Sequence, residues 1–199
     1  MFIELTDILR CPEPHDEQFV VLIPDAMAGR SVRAGRLGCP VCQREYLITD
    51  GTVEFAAVAG GSAVDPAIGP EALAAFLGLS GPGGYVGIVG GSAVLGLKLV
   101  ESIPGVHFVA INPPPGSTEA PMLSLLRAGS IPVKSRSLRG VVLLEPFASD
   151  SAWRREASRV VLPGLRVVGQ GDPPAQAGLE ILASAAGWWV AQSAGAGSA

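Results

Sequence analysis

Charge is what this sequence has least of. Only 16% of its 199 residues are charged, against roughly 25% in soluble domains, which excludes a highly charged disordered protein. Its 14 Lys and Arg form no basic run and are outnumbered by 18 Asp and Glu, so a dedicated nucleic-acid binder is not expected. Acids stand at Glu4 and Asp7, where a secretory signal would be basic, and we therefore expect a cytoplasmic protein.

The sequence also lacks a long uninterrupted apolar segment. Its longest uncharged stretch, residues 72–97, could span a bilayer of about 30 Å. Glycines and Pro82 interrupt that stretch, however, and a broken helix leaves backbone groups unpaired in lipid. We therefore expect buried soluble structure there and no membrane segment.

Cysteine and histidine are scarce, and most of them lie close together. All three cysteines and one of the two histidines fall within the first 42 residues. Cys39 and Cys42 have the two-residue spacing with which a tight turn directs two thiolates at one zinc ion. Cys11 and His15 supply two further donors, so the four side chains predict a closed structural zinc site that leaves no open position for a substrate.

Other interpretations of these residues stay open. An odd number of cysteines in a cytoplasmic chain argues against a disulfide framework. A thioredoxin-like redox pair needs a helix that begins at the first cysteine, whereas the residues after Cys42 predict a strand. The remaining alternatives are a knuckle at Cys39 and Cys42 that no longer holds metal, and a solvated turn at His15 beside Asp16 and Glu17.

The first 56 residues resemble a known family. LTDILRCPE, at residues 5–13, and GRLGCPVCQREYLITDGTVEF, at residues 35–55, resemble the small zinc-ribbon family that activates tRNA, rRNA and release-factor methyltransferases. The matching residues are Tyr46, Ile48, Asp50 and Gly51. The departures are Pro14 for a second cysteine, Leu47 for a proline, and Thr52 and Val53 for an Ile-Pro pair. The resemblance implies a small zinc-ribbon-like β domain at residues 1–56 that packs against a methyltransferase.

The rest of the chain predicts a second domain. Residues 57–70, rich in small residues, predict a linker, and residues 193–199 a flexible tail. Between them, continuous apolar runs alternate with helical patterns, which indicates an α/β, Rossmann-like, mostly parallel sheet over residues 71–192 with helices on both faces. The predicted strands are residues 84–90, 106–111, 140–146, 165–170 and 188–192, and the predicted helices are residues 71–79, 92–103, 120–128, 151–161 and 175–186.

A second resemblance lies in this part of the chain. WRREASRVVLPGLRVVGQG, at residues 153–171, resembles the helix, turn and strand of class I S-adenosylmethionine-dependent methyltransferases, and LEILASAAGWWV, at residues 179–190, resembles the helix and strand that follow. The matching residues are Glu156, Arg159, Val160, Leu162, Pro163, Gly164 and Arg166. With the first predicted strand, the resemblance covers residues 84–192. It implies a truncated methyltransferase-like domain and S-adenosylmethionine as cofactor.

The cofactor loop of that family, DxGxGxG, is only partly present. Gly90 matches a family glycine, whereas the acid and the other two glycines are replaced by Ile88, Ser92 and Val94. Asn112 stands where an acid would hold the ribose hydroxyls, and an amide binds a hydroxyl more weakly than a carboxylate does. The candidate cofactor-binding residues are Gly90, Gly91, Ser92 and Asn112. The alternative is that the glycines only allow close packing of strand and helix.

Two further titratable residues are Glu145 and His107. Glu145 follows the fourth strand of the resemblance and is the candidate catalytic residue, because its carboxylate could hold an amine. A solvated glutamate at a strand end is the alternative. His107 lies inside an apolar strand, and we expect a core or edge histidine with its hydrogen bonds satisfied.

These features predict a methyltransferase-like protein with an activator-type zinc ribbon fused in cis. Its cofactor site is eroded, and its role is binding or regulation, as a homodimer or with a protein partner at an apolar surface and an exposed sheet edge. One alternative is an active methyltransferase with a variant cofactor loop and an unknown substrate. Another is a zinc-dependent binding module that the second domain scaffolds. Zinc and S-adenosylmethionine are the expected cofactors, and whether the chain is an enzyme stays open.

Overall fold

The computed structural model describes residues 1–62, 68–175 and 178–194. Parts of the predicted linker and tail, residues 63–67 and 195–199, lie outside the described residues. The elements in chain order are a 3₁₀ helix at Ile3–Asp7, β1 Val21–Ala28, β2 Ser31–Gly38, β3 Glu45–Thr49, β4 Thr52–Glu54, α1 Pro70–Leu77, β5 Tyr85–Val89, α2 Ala93–Ser102, β6 His107–Ile111, β7 Leu123–Arg127, β8 Leu138–Leu143, α3 Ser151–Val160, β9 Val161–Gln170, β10 Leu179–Ala185 and β11 Trp188–Ser193. The strands form one sheet in the order β1-β2-β3-β4-β7-β6-β5-β8-β9-β11-β10.

The centre of the sheet is the parallel part that the sequence predicts. β7, β6, β5, β8 and β9 are neighbours in that order, and each pair is parallel. This is the 3-2-1-4-5 arrangement with which a doubly wound α/β fold begins. β6 is buried at every residue, and β5, β7 and β8 are buried at all but one. Such burial explains their continuous apolar sequences, because both faces of these strands are covered.

The carboxyl-terminal flank is antiparallel, so the sheet is mixed rather than mostly parallel. β11 pairs in antiparallel fashion with both β9 and β10. The helix predicted at residues 175–186 is wrong, because Leu179–Ala185 is strand β10; residues 176–177 lie outside the described part of the chain. Ala186 and Gly187 have φ angles of 51° and 73°, as in the two-residue turns whose twist matches a β-hairpin. This turn folds the alanine-rich segment back as a strand.

The helix predicted at residues 120–128 is also wrong, because Leu123–Arg127 is strand β7. Its side chains alternate between the two faces of the sheet, as in any strand. Leu123 and Leu125 belong to the core cluster on the face of α1 and α2, and Leu126 belongs to the cluster on the other face. The connection from β6 to β7, residues 112–122, is fully described and contains no helix.

The amino-terminal strands continue the same sheet. β1, β2, β3 and β4 form an antiparallel series of neighbours. β4 then pairs in parallel with β7, with Val53 opposite Leu126 at the middle of the three-residue register. The separation into domains at residues 1–56 and 71–192 stays a prediction, and in the structure the two parts share one sheet.

The two faces of the sheet are covered differently. α1 and α2 pack on one face, whereas α3 and the buried side chains of residues 1–11 belong to the core of the other. Leu9 is fully buried in that second core, and its backbone bridges Val133. An amino-terminal segment thus covers part of a face that helices alone would cover in the predicted fold. No helix in the described part of the chain is long and apolar enough to cross a membrane.

We expect Leu9→Ala to lower the free energy of unfolding of the whole chain by about 2–5 kcal/mol, because it leaves a cavity in a core that the amino-terminal segment and the sheet share. Guanidinium unfolding followed by tryptophan fluorescence and by far-UV circular dichroism measures this, and both signals should shift together. Leu97→Ala, at a helix position that is 39% exposed, is the control and should cost less than about 1 kcal/mol. Two separate transitions would contradict a shared core.

Candidate functional site

Two turns bring the four predicted metal ligands together. Cys11 and His15 lie in a loop whose ends are joined by a hydrogen bond of 3.0 Å from the Cys11 N–H to the Gln18 carbonyl. Cys39 and Cys42 lie in the turn between β2 and β3. The donor atoms of all four side chains lie within 4.8 Å of one another. The structure therefore brings together the four side chains that the sequence predicts as metal ligands, and a zinc ion on them stays a prediction.

The distances in this cluster suit a tetrahedral zinc ion. The Sγ atoms of Cys11 and Cys42 are 3.6 Å apart, and the Cys39 Sγ lies 3.4 Å from the His15 Nε2. In a tetrahedron with Zn–S bonds of about 2.3 Å, two sulfur ligands are about 3.8 Å apart, and a sulfur and a nitrogen are slightly closer. The four side chains could hold one zinc ion with little rearrangement. Three thiolates and one imidazole are also an ordinary ligand set for structural zinc.

The two buried thiols, Cys11 and Cys39, differ in pKa. Burial raises the pKa of Cys11 to about 11. Burial acts on Cys39 in the same direction, but backbone N–H groups of Cys42 and Val41 outweigh it and lower the pKa of Cys39 to about 7. Of these two thiols, Cys39 more readily becomes a thiolate, which is the form that binds metal. The N–H groups of a tight turn folded toward a sulfur produce this effect.

A second layer of contacts orients the donors. The His15 Nδ1 lies 2.7 Å from the Asp16 carbonyl oxygen, so it carries the proton and donates it there. The Nε2 lone pair is thereby left for a metal. The Tyr46 hydroxyl lies 3.0 Å from the Cys11 Sγ, and its ring packs on Phe55 with 4.8 Å between centroids. Tyr46 thus offers a hydrogen bond to a buried sulfur, as the outer contacts of metal ligands commonly do.

We expect purified wild-type protein to contain about one zinc ion per chain, measured by elemental analysis. Cys39→Ser should lower the content below about 0.2 zinc per chain, because a hydroxyl replaces a thiol whose pKa the turn lowers to about 7. His15→Ala should weaken zinc retention against a chelator, whereas Asp16→Ala, at the exposed neighbouring residue, should retain the wild-type content. Less than about 0.2 zinc per wild-type chain would contradict a zinc site.

The predicted cofactor loop is closely packed by the chain itself. Gly90 is buried with a φ angle of 77°, and a Cβ atom there would lie 2.6 Å from the Phe147 ring. Gly91 is equally crowded, since a Cβ atom there would lie 2.5 Å from a core side chain. The Ser92 hydroxyl accepts the Leu95 N–H at 3.0 Å and so caps the amino terminus of α2. Packing alone therefore requires glycine at both positions.

A segment of the chain's own backbone lies across this loop. We call residues 57–62 the strap. The Gly61 N–H donates a hydrogen bond of 2.8 Å to the Asn112 carbonyl, and a Cβ atom on Gly61 would overlap the Gly90 carbonyl. Gly60 is held as tightly against the residue after Asn112. Two glycines in succession permit this contact between backbones, which a side chain would prevent.

The Asn112 side chain is turned into the core. The residue is fully buried at the end of β6 with a φ angle of 53°. Its Nδ2 donates to the Ala128 carbonyl at 2.8 Å, and its Oδ1 accepts the Ala128 N–H at 2.9 Å. The amide therefore ties the end of β6 to the end of β7. The structure places Asn112 beside the loop, as the resemblance implies, but uses both ends of its amide internally.

Glu145 lies at the same end of the parallel strands as Asn112. The preceding N–H, that of Leu144, donates to the Val89 carbonyl at 3.0 Å, which puts Glu145 beside the end of β5. Its carboxylate accepts the Ser149 hydroxyl at 2.6 Å, and the residue is partly exposed. Solvent therefore reaches this predicted catalytic carboxylate, and the hydroxyl contact holds it in place.

The amino-acid sequence alone does not indicate the strap or a neighbouring cleft. The cleft has a volume of about 290 Å³ and lies between the start of α2 and residues 114–118, with Val94 and Leu97 in its wall. Gly60 and Gly61 are the sequence signal of the strap, but adjacent glycines are equally typical of a linker. Only the folded chain shows where such a segment lies.

We expect Asn112→Ala to lower the free energy of unfolding by about 2–5 kcal/mol, because it leaves the buried N–H and carbonyl of Ala128 without their partners and puts alanine at a positive φ angle. Ser117→Ala, which removes one partly buried hydroxyl contact in the same connection, should cost less than about 1 kcal/mol. Thermal and denaturant unfolding measure both variants. An unchanged stability in Asn112→Ala would show that the amide does not hold β6 to β7.

No model of a known protein family matches the chain, and no curated protein matches it. Among solved structures, the chain is similar to a chain in the complex between the Haloferax volcanii Trm112 methyltransferase activator and a proposed methyltransferase, at 18% identity over 50% of this chain and 50% of that chain, with a TM-score of 0.41. It is also similar to the antibiotic-resistance methyltransferase Kmr, at 15% identity over 70% of this chain and 100% of that chain, with a TM-score of 0.46.

A third similar structure is the [4+2]-cyclase SpnF, at 13% identity over 64% of this chain and 65% of that chain, with a TM-score of 0.47. The chain spans half the length of the Haloferax volcanii match and 43% of a methyltransferase-related match from Anabaena variabilis.

Proposed function

We propose that this chain is a methyltransferase-like protein whose cofactor crevice is closed by its own strap and which acts by binding rather than by methyl transfer. One observation carries the proposal: Gly61 packs on the Gly90 carbonyl and hydrogen-bonds Asn112. In open α/β sheets, ligands bind outside the carboxyl ends of the strands where the strand order reverses. Here that point lies at β5, between β6 and β8, and the strap lies beside it.

The side chains around this point support the same proposal. A cofactor of the methyltransferase type would need a bare glycine loop and an acid for its ribose hydroxyls. In this chain the Phe147 ring covers Gly90, and the Asn112 amide is paired with Ala128. Both would have to be released before the loop could serve a ligand.

The Cys/His cluster is the structural part of the proposal. Four protein ligands leave no open coordination position, so a bound zinc ion would cross-link the loop at residues 11–18 to the β2–β3 turn and supply no catalytic water. Cys11, His15, Cys39 and Cys42 are the residues that would hold it. The β4–β7 pairing then joins this zinc-ribbon-like part to the methyltransferase-like part within one chain.

The sheet edges are the proposed binding surface for a protein partner. β1 and β10 are the two outermost strands of the sheet. β1 exposes Val21, Ile23 and Met27, at 55%, 40% and 44%, and β10 exposes Ile181 and Leu182, at 38% and 46%. Apolar side chains on edge strands are typical of surfaces that another chain covers. A second copy of this chain is the alternative partner.

Isothermal titration calorimetry with S-adenosylmethionine tests the closed crevice. We expect no binding by the wild-type protein at ligand concentrations up to about 1 mM, where the free energy of association would be only about 4 kcal/mol. Gly61→Ala should displace the strap, because the Cβ atom of the new alanine would overlap the Gly90 carbonyl. This variant should still bind no cofactor, because the Asn112 amide remains hydrogen-bonded to Ala128. Gly129→Ala, which meets no atom within 4 Å, is the matched control.

Micromolar binding by the wild-type protein would overturn the proposal. Binding gained only in Gly61→Ala would instead identify the strap as a lid over a working site.

An active methyltransferase is the second candidate function, and the position of Glu145 favours it. Its partly exposed carboxylate lies beside the end of β5, at the same end of the parallel strands as the Gly90 loop. Gly90, Gly91, Ser92 and Asn112 would then contact the cofactor, and Glu145 would orient the methyl acceptor. Methyl transfer that is detected with labelled S-adenosylmethionine and lost in Glu145→Ala would establish this candidate; transfer unaffected by that substitution would place the chemistry elsewhere.

A further inference from the structure

A second cavity lies at the opposite end of β6 from the strap. We call it the hairpin cleft, because the β1–β2 hairpin forms one wall and residues 119–122, which precede β7, form another. His107, the first residue of β6, also lines it. Its volume is about 370 Å³, within the range of small-molecule sites, which is about 300–1,000 Å³. It is separated from the Gly90 loop by the length of β6, about 15 Å.

The charges of the hairpin cleft favour an anion. Its charged lining residues are Arg30, Arg33 and Glu119, in a chain whose formal net charge is −4. The Glu119 side chain is only 7% exposed, and its carboxylate already accepts hydrogen bonds from Arg33 and from the Ser31 hydroxyl. The Arg30 and Arg33 side chains are 72% and 47% exposed. Arg30 pairs with Glu4, but both guanidinium groups keep donors that solvent reaches.

The remaining lining of the hairpin cleft is apolar. It consists of Phe2, Ala28, Ala120, Pro121 and Met122. The Phe2 ring stacks on the His107 imidazole with 4.8 Å between centroids and 18° between planes. The cleft therefore offers an occupant both guanidinium groups and hydrocarbon surface. This combination is typical of sites for small organic anions.

His107 supplies a further hydrogen-bond donor at this site. The Ser124 hydroxyl oxygen accepts the Phe2 N–H at 3.0 Å and lies 2.9 Å from the His107 Nε2. We assign the hydroxyl proton to this second contact, with Nε2 as its acceptor. The imidazole proton is then on Nδ1. That nitrogen is buried and has no hydrogen-bond partner among the described residues, contrary to the expectation of a satisfied core histidine. Buried donors left unpaired are costly and are commonly completed by a ligand or water.

We propose that the hairpin cleft binds a small organic anion, a carboxylate or phosphate on an apolar body, with the anionic group between Arg30 and Arg33 and the Nδ1–H of His107 as an additional donor. The site is independent of the crevice at Gly90. Burial also keeps His107 neutral at pH 7, because it lowers the pKa of the imidazole to about 4. The imidazole therefore acts as a donor without adding charge to the cleft.

Phenyl phosphate is the probe, with phenol as its neutral counterpart and phenylacetate as the carboxylate arm. We expect calorimetry to show phenyl phosphate or phenylacetate binding at least about tenfold more tightly than phenol. The tighter of the two anions identifies whether phosphate or carboxylate is preferred. Arg30→Gln and Arg33→Gln should each weaken binding about three- to tenfold. Arg30→Gln is the safer variant, because its exposed side chain contributes little to packing.

Arg155→Gln, an equal change of charge on the exposed face of α3, is the matched control and should bind as the wild type does. The ¹⁵N resonance of His107 Nδ1 should shift on saturation with the anion. Equal affinities for phenol and phenyl phosphate, or an equal loss in Arg155→Gln, would overturn an anion site. Anion binding with an unchanged Nδ1 resonance would overturn the role of His107.

Discussion

The hydrogen bonds between β4 and β7 are the constraint on which the rest of the molecule depends. Three residues of β4 pair in parallel with three of β7, and through them the four amino-terminal strands enter the central sheet. Because β4 runs parallel to β7, the chain that leaves β4 emerges at the carboxyl-terminal end of the parallel strands. The N–H groups of Phe55 and Ala56 both donate to the Arg127 carbonyl there, which directs the strap toward Gly90. Strand direction, rather than a special sequence, brings the strap to the crevice.

Features that depend on residues close together in the sequence could be predicted, whereas features that depend on distant residues could not. The Cys/His cluster could be predicted because Cys39 and Cys42 share one turn, so their spacing alone limits their geometry. The parallel strands could be predicted because burial on both faces leaves a continuous apolar run. β7 and β10 were not recognised as strands, since leucines and alanines suit either conformation and pairing with neighbours decided between them.

The closed crevice could not be predicted for the same reason. Asn112 stands where the resemblance puts a cofactor residue, and the sequence shows the amide without showing Ala128 as its partner 16 residues later. Gly60 and Gly61 are equally suited to a free linker and to a close backbone contact. The orphaned nitrogen of His107 likewise depends on Phe2 and Ser124, which are distant in sequence. Sites assembled from separate segments need the folded chain.

The β4–β7 joint also has a consequence for how the protein behaves when dilute. When two separate chains pair edge to edge, the fraction joined falls with their concentration. Here both strands belong to one chain and are joined by residues 55–122, so their pairing is intramolecular and does not depend on the protein concentration. The two parts are always present in equal amounts, and dilution to nanomolar concentrations leaves the joint closed. Only unfolding or cleavage of the connecting segment can open it.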